Sequence, residues 1–190
     1  MQDIHENNTQ YLAGLDLADA EIFNLGRIVA YWGCIEHEVF LQAALSLSDE
    51  EKLPKKLNNI QFSETLNFWE AWVVEPATGD RKTKLRDSLA RIRYYHAYRA
   101  GLIHGMWNWD RADPSMITAT VVSKDNVSKI QYTARDLADM AFQLASILFD
   151  LRHPDGIADH VSDLEDSGGY MSRNLFFHQT SHLNSKKSTS

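Results

Sequence analysis

Residues 85–106 read LRDSLARIRYYHAYRAGLIHGM, and this stretch decides the fold because its apolar side chains recur at the spacing of one helix face. The apolar seam predicted for this helix consists of Leu85, Leu89, Ile92, Ile103 and Met106. His96 and Arg99 fall on the same seam, where the spacing would otherwise place apolar side chains. We therefore predict a long helix over residues 80–106 that carries polar groups in the middle of its buried face.

Two amphipathic segments precede this helix. Residues 19–47 repeat apolar side chains at spacings of three and four, which predicts a long helix, and residues 63–74 predict a shorter helix that stops before Pro76. The predicted seam of the first helix is Ile22, Leu25, Val29, Trp32, Val39 and Ala43, and that of the second is Leu66, Trp69, Trp72 and Val73. Glu36 interrupts the first seam near its middle.

The segment after Pro114 changes character. Residues 116–122 and 127–133 are rich in Ile, Thr, Val and Tyr, which predicts a small β-hairpin. Thr133 and Asp136 have the spacing of a capping box. The last core helix that they open is predicted to use Leu137, Ala141, Leu144, Leu148 and Leu151 and to end near His153.

The expected fold class is all-α, a bundle of four to five helices with a small β-hairpin insertion before the last core helix. The expected domains are a polar N-terminal segment over residues 1–18, a helical domain over residues 19–154 and a partly disordered C-terminal extension over residues 155–190. A chain of 190 residues with a 44% apolar share is large enough for one buried core.

Composition also narrows the class of protein. No run approaches the roughly 20 apolar residues of a membrane span, and the first ten residues are polar, so we expect a cytoplasmic protein without a membrane partner. The formal net charge of −7 argues against a protein that coats nucleic acid through bulk electrostatics. The single cysteine, Cys34, lies in an apolar periodic segment and is expected to be a buried free thiol.

Basic residues cluster at the start and middle of the long helix. Between residues 80 and 99 only Asp80 and Asp87 oppose them. The cluster consists of Arg81, Lys82, Lys84, Arg86, Arg91, Arg93 and Arg99. Two interpretations are open: a solvated helix face, or a basic strip on which Arg91 and Arg93 bind an anionic substrate.

The polar residues on the predicted seams need partners. Because an unpaired buried carboxylate or guanidinium is costly, Glu36 is expected to meet Arg99, or else Arg93, across a helix pair. Such a pair can serve helix register alone, and His96 can be a satisfied core histidine. His104 is rotated by roughly 140° from Arg99 on an ideal helix, so it is expected to face solvent, a cleft or a partner subunit.

Residues 95–107, YHAYRAGLIHGMW, resemble the signature of the HEPN family. That signature is an Arg followed after four to six residues by a His, late in a long helix, with a Gly and an aromatic residue close behind. Trp32 ahead of Glu36 is similar to the first helix of many small bacterial HEPN proteins, and the resemblance covers residues 19–153. The position after the Arg is commonly polar in the family, whereas this chain has Ala100.

The resemblance implies a metal-independent endoribonuclease of defence or toxin type that cleaves RNA as a homodimer, with no cofactor or metal. Arg99 would bind phosphate and stabilise the charge developing on it, while His104 would exchange a proton with the ribose 2′-hydroxyl or the leaving oxygen. The supporting residues are expected to be Glu36, His96, Tyr95 and Trp107. An antitoxin or other inhibitory protein would be a further partner.

Two other functions stay open on the sequence. Ala100 and the acidic net charge favour a catalytically inactive HEPN-like dimer that binds RNA, a nucleotide or a partner protein. A purely structural helical interaction protein would use Arg99 for stability alone.

Overall fold

The structure is a computed structural model that describes residues 17–47, 61–123 and 126–156. The helices and strands described below all belong to the first of two units into which the chain divides, and that unit ends at Pro154. Most of the predicted N-terminal segment and C-terminal extension lies outside the described residues, so the predicted domain boundaries stay a prediction. The elements are α1 (Asp19–Leu45), α2 (Phe62–Trp69), a π-helical turn (Glu70–Val74), α3 (Gly79–His104), β1 (Met106–Asp110), β2 (Asp113–Ser123), β3 (Asn126–Thr133) and α4 (Ala134–Arg152).

Helices dominate the described residues, which confirms the expectation of a mostly helical protein. α1 packs against α4 and α2, while α3 contacts α4 and β2. The core lies between these elements, and its largest fully buried side chains are Trp32, Trp69, Ile35, Leu85, Ile92, Ile117, Leu137, Leu144, Ile147, Leu151, Val39 and Val74. No helix in residues 17–47, 61–123 or 126–156 is both long enough and apolar enough to cross a lipid bilayer.

The buried face of α1 confirms the predicted seam at Trp32, Val39 and Ala43 but departs from it nearer the N-terminus. Ile28 and Ile35 are buried, whereas Ile22 and Val29 are 45% and 50% exposed, so that part of the prediction is wrong. The helix carries two apolar stripes, and the periodicity alone does not say which stripe meets α4. Cys34 lies on the outer side and is exposed, which corrects the expectation of a buried thiol.

α2 and the π-helical turn together cover the second predicted helix. The N–H of Glu75 donates to the carbonyl of Glu70 at 2.9 Å, a bond one residue longer than in an α-helix. The wider turn changes which side chain faces the core after Trp69. Val74 is fully buried, while Trp72 is exposed and Val73 only partly buried, contrary to the predicted seam.

α3 forms as predicted but ends at His104, before the predicted end at Met106. Leu85, Leu89 and Ile92 are buried as expected. The C-terminal part of the predicted seam is wrong, because Leu102 is buried instead of Ile103. Met106 is 76% exposed and begins a strand.

Gly105 permits this helix to end close to the sheet. Its ψ of 146° takes the backbone out of the helical region. A Cβ at this position would collide with the carbonyl oxygen of Gly101 and lie 3.2 Å from the Cβ of Ala119 on β2. The absence of a side chain therefore lets the chain turn directly into β1.

The three strands form one antiparallel sheet in the order β1-β2-β3. The predicted hairpin is confirmed as β2 and β3, with Met116 opposite Thr133 and Val122 opposite Val127. β1 was not predicted, because the helical pattern ran on to Met106. The term all-α is therefore too narrow for this fold.

α4 begins with the predicted capping box. The N–H and hydroxyl of Thr133 donate to the Asp136 carboxylate at 2.8 and 2.7 Å, and the hydroxyl accepts from the Asp136 N–H at 3.1 Å. These backbone and side-chain hydrogen bonds hold the pKa of Asp136 below its usual value. Four of the predicted seam residues are buried, namely Leu137, Ala141, Leu144 and Leu151, while Leu148 is partly buried.

Candidate functional site

Arg99 lies on the side of α3 that meets α1, where it contacts Glu36 and Trp32. Its Nη1 atom is 3.2 Å from Oε1 of Glu36, and Nε1 of Trp32 donates to that same oxygen at 2.7 Å. The guanidinium carbon lies 5.8 Å from the centroid of the Trp32 ring. The predicted pairing of Glu36 with Arg99 is confirmed, and the alternative through Arg93 is wrong because Arg93 binds Glu70 instead.

The Arg99–Glu36 ion pair is half-buried. The two side chains are 35% and 29% exposed, less enclosed than their place on the predicted seams implied. The Nε atom of Arg99 is nevertheless buried and has no hydrogen-bond partner among the described residues. Because a guanidinium carries several N–H donors, a further acceptor can be bound without breaking the contact to Glu36.

Aromatic rings pack around Trp32, next to the Arg99–Glu36 ion pair. The His96 ring lies 5.8 Å from the Trp32 ring and 5.7 Å from the Phe62 ring, and these last two meet edge to face at 5.6 Å. Trp32 and Glu36 are four residues apart on α1, so both reach the same side of that helix. His96 therefore lies in the packing behind the ion pair, which favours its interpretation as a core histidine.

His104 is the last residue of α3 and is exposed, as expected. The helix stays regular through Gly101, whose carbonyl accepts from the N–H of Gly105 at 3.0 Å. The rotation of roughly 140° from Arg99, with a rise of about 7.5 Å, therefore applies. Within one chain, Arg99 faces α1 while His104 faces another direction.

Arg91 and Arg93 bind carboxylates on other elements. Arg91 Nη1 lies 3.0 Å from Asp150 on α4, and Arg93 Nη2 lies 2.7 Å from Glu70 in the π-helical turn. These two arginines and Arg99 thus point to three different elements. They do not form one basic surface, and the predicted roles of Arg91 and Arg93 in substrate binding stay predictions.

The start of the basic cluster is also paired. Lys82 and Arg86 both contact the Glu75 carboxylate, at 3.2 and 2.9 Å. Hydrogen bonds from Arg86 and then Lys82 hold the pKa of Glu75 below its usual value. These exposed pairs favour the interpretation of this part of α3 as a solvated helix face.

Tyr95 on α3 and Trp107 on β1 pack against other aromatic residues. Tyr95 packs edge to face on Tyr94 at 5.0 Å, and the Trp107 ring lies 6.0 Å from that of Tyr132. Tyr95 also borders a cavity of about 200 Å3 lined by Tyr94, Tyr95, Tyr98, Tyr132, Asp136, Asp139, Met140 and Gln143. The sequence interpretation missed this cavity, although three tyrosines within residues 94–98 are a signal that could have indicated it.

The described residues contain no group of three or more His, Cys, Asp or Glu side chains that could hold a metal ion. No family model, curated protein or solved structure matches this chain. The HEPN resemblance therefore depends on the residues of the motif and on the helices that carry them.

Proposed function

We propose that this protein is a metal-independent endoribonuclease of HEPN type, built on an HEPN-like bundle of helices. The observation that carries the proposal is the state of Arg99, whose side chain is partly exposed and contacts one oxygen of Glu36 through Nη1. A phosphate group can accept hydrogen bonds from the remaining donors of this guanidinium. The position of Arg99 late in the long helix α3, ahead of an exposed His104, is consistent with the motif.

The reaction is a transesterification within RNA. The ribose 2′-oxygen attacks the adjacent phosphorus, the bond to the 5′-oxygen breaks, and a 2′,3′-cyclic phosphate and a 5′-hydroxyl are the products. Arg99 binds the phosphate and stabilises its added negative charge. His104 moves the proton, either from the 2′-hydroxyl or to the leaving 5′-oxygen. DNA is not cut, since it lacks the nucleophile.

The proposed enzyme is a homodimer. Because roughly 140° separate Arg99 from His104 on α3, one copy does not direct both groups into a single groove. A second copy whose α3 faces the first would supply the missing group. An inhibitory protein that covers this groove fits the toxin-type function, as the resemblance implies.

Cleavage of RNA in the presence of EDTA tests the proposal. We expect the wild-type protein to cut RNA and His104→Ala to be at least about 100-fold slower, the range expected for loss of a general acid or base. His37→Ala is the matched control, because His37 is also an exposed histidine, on α1. An RNA with a single 2′-deoxyribose at the cut position should resist cleavage. Equal turnover of His104→Ala and the wild type would remove His104 from the chemistry.

A second candidate function is RNA binding without cleavage. It is favoured by the Glu36 carboxylate, which already occupies Arg99 and offsets its charge. In that case labelled RNA would bind in a way that depends on Arg99, and no cyclic phosphate would form. Arg99→Gln, compared with Arg135→Gln at a nearly fully exposed arginine, distinguishes specific from general electrostatic binding.

A further inference from the structure

The cavity between α3, β3 and α4 has aromatic walls. Tyr94 and Tyr98 stand one helical turn apart with their rings 5.1 Å from each other, and Tyr95 packs against Tyr94. Tyr132, at the end of β3, closes the inner side. With about 200 Å3, the cavity is smaller than the roughly 300–1,000 Å3 of pockets for drug-sized ligands, so it suits a small molecule.

The Tyr132 hydroxyl is the unexplained group of this cavity. The residue is only 7% exposed, and its oxygen has no hydrogen-bond partner among the described residues. An unpartnered buried hydroxyl is costly, so it indicates a place where a ligand or a water completes the hydrogen bonding. Burial, and then the nearby phenols of Tyr98 and Tyr94, raise the pKa of Tyr132 to about 12.

The rim of the cavity is acidic. Asp136 and Asp139 both line it from α4. The charge of Asp136 is secured by its capping hydrogen bonds to Thr133, which lower its pKa. Asp139 is 72% exposed, and its only ion pair among the described residues is a long contact of 3.9 Å to Arg135. Arg91, which lies near Tyr95 on α3, is bound by Asp150 and Gln143.

We propose that this cavity binds a small organic ammonium cation. The faces of tyrosine rings attract cations through their π electrons. The two carboxylates at the rim also attract a positive charge. The Tyr132 oxygen can accept a hydrogen bond from an ammonium N–H. The site is independent of Arg99 and His104, and it is separate from the proposed ribonuclease function.

The test is an NMR titration of the full chain with choline and with 3,3-dimethylbutan-1-ol, which has the same shape without the charge. We expect choline to shift amide signals around residues 94–98 and 132–143 and to bind about tenfold more tightly than the neutral alcohol. n-Butylammonium adds N–H donors, so its affinity should fall in Tyr132→Phe more than that of choline does. AMP serves as the competing anionic and aromatic probe.

Two surface variants separate binding from folding. Tyr94→Leu should weaken choline binding about two- to fivefold, and Asp139→Asn about twofold, because both residues are largely exposed. Phe23→Leu and Glu64→Gln are the matched controls on α1 and α2, because Phe23 is an exposed ring and Glu64 an exposed carboxylate and neither lines the cavity. Equal binding of choline and the neutral alcohol, tighter binding of AMP, or no binding of either cation would overturn the proposal.

Discussion

At the scale of single residues, Glu36 makes two contacts whose effects a substitution can separate. One carboxylate oxygen accepts from the indole of Trp32 and also contacts the guanidinium of Arg99. An amide in its place would keep an acceptor for the indole and lose the charge. The Glu36–Arg99 ion pair contributes little to stability, because both of its side chains are about one third exposed.

Glu36→Gln should therefore lower the free energy of unfolding by only about 1 kcal/mol, as measured by urea denaturation. The affinity for a single-stranded RNA should rise, since Arg99 loses its competing anion. Fluorescence anisotropy of labelled RNA measures this affinity, and Glu64→Gln is the control for general removal of negative charge. An unchanged affinity in Glu36→Gln would contradict the assignment of Arg99 to phosphate binding.

The raised pKa of Tyr132 predicts that the folded protein loses stability at alkaline pH. Its pKa is about 12 in the folded protein, against about 10 for an unperturbed tyrosine. Since the folded pKa is raised, the folded state binds more protons between these values, and stability falls as the pH rises from about 10 to about 12. In Tyr132→Phe this part of the pH dependence should disappear, as measured by chemical denaturation across that range. A decline of the same slope in the variant would assign the effect to other groups.

At the scale of elements, the junction between the end of α3 and the start of β1 depends on two glycines. Gly101 faces β2 and β3, where a Cβ would lie 3.3 Å from Val121 and 3.6 Å from Ile130. Gly105 is more restricted, because a Cβ there meets backbone. The short connection from helix to strand therefore depends on close packing that only glycine allows.

Gly105→Ala should destabilise the fold by about 1–3 kcal/mol, because either the backbone or Ala119 must move. Gly33→Ala is the contrasting variant. A Cβ at Gly33 meets nothing within 4 Å, and alanine is favoured over glycine inside a helix by about 1 kcal/mol. Thermal unfolding of both variants should give shifts of opposite sign. A neutral Gly105→Ala would show that β1 does not need this close approach.

At the scale of the whole molecule, net charge limits how the proposed RNA substrate can be bound. The chain carries a formal net charge of −7, and Arg91 and Arg93 are bound by protein carboxylates. Lys82 and Arg86 at the start of α3 are likewise bound by a protein carboxylate. Binding should therefore depend on a small number of phosphate contacts around Arg99.

The salt dependence of RNA binding measures this number. With one or two phosphates neutralised, the slope of log K against log salt should be about −0.7 to −1.4 for a single strand. Arg99→Gln should make the slope shallower by about 0.7, while Arg135→Gln should leave it unchanged. A slope several times steeper would indicate a broad basic surface, contrary to the ion pairs of α3.

The proposed homodimer makes a complementation prediction. Arg99→Gln and His104→Ala should each be inactive alone. If a groove uses Arg99 of one copy and His104 of the other, a mixed dimer has one intact groove, and mixing the two variants should restore part of the cleavage rate. Light scattering on the mixture establishes the dimer. An inactive mixture that is still dimeric would place both groups of each groove in the same copy.

The amino-acid sequence alone determined most of the elements. It indicated the helices, the hairpin and the capping box of Thr133 and Asp136, because periodicity, β-branched runs and caps are local properties of the chain. The sequence also predicted that Glu36 pairs with Arg99 or else Arg93, since polar interruptions near the middle of two long helices can satisfy each other; the structure selects Arg99.

Only the tertiary structure decided the rest. α1 has two apolar stripes, and it is the packing of α4 that buries Ile28 and Ile35 and leaves Ile22 and Val29 exposed. β1 pairs with the hydrogen-bonding edge of β2, and only its first residue, Met106, lay within the predicted helix. The tyrosine cavity lies between α3 and the consecutive elements β3 and α4, which come much later in the chain than α3. Faces, edges and cavities depend on which elements meet, and local spacing does not contain that information.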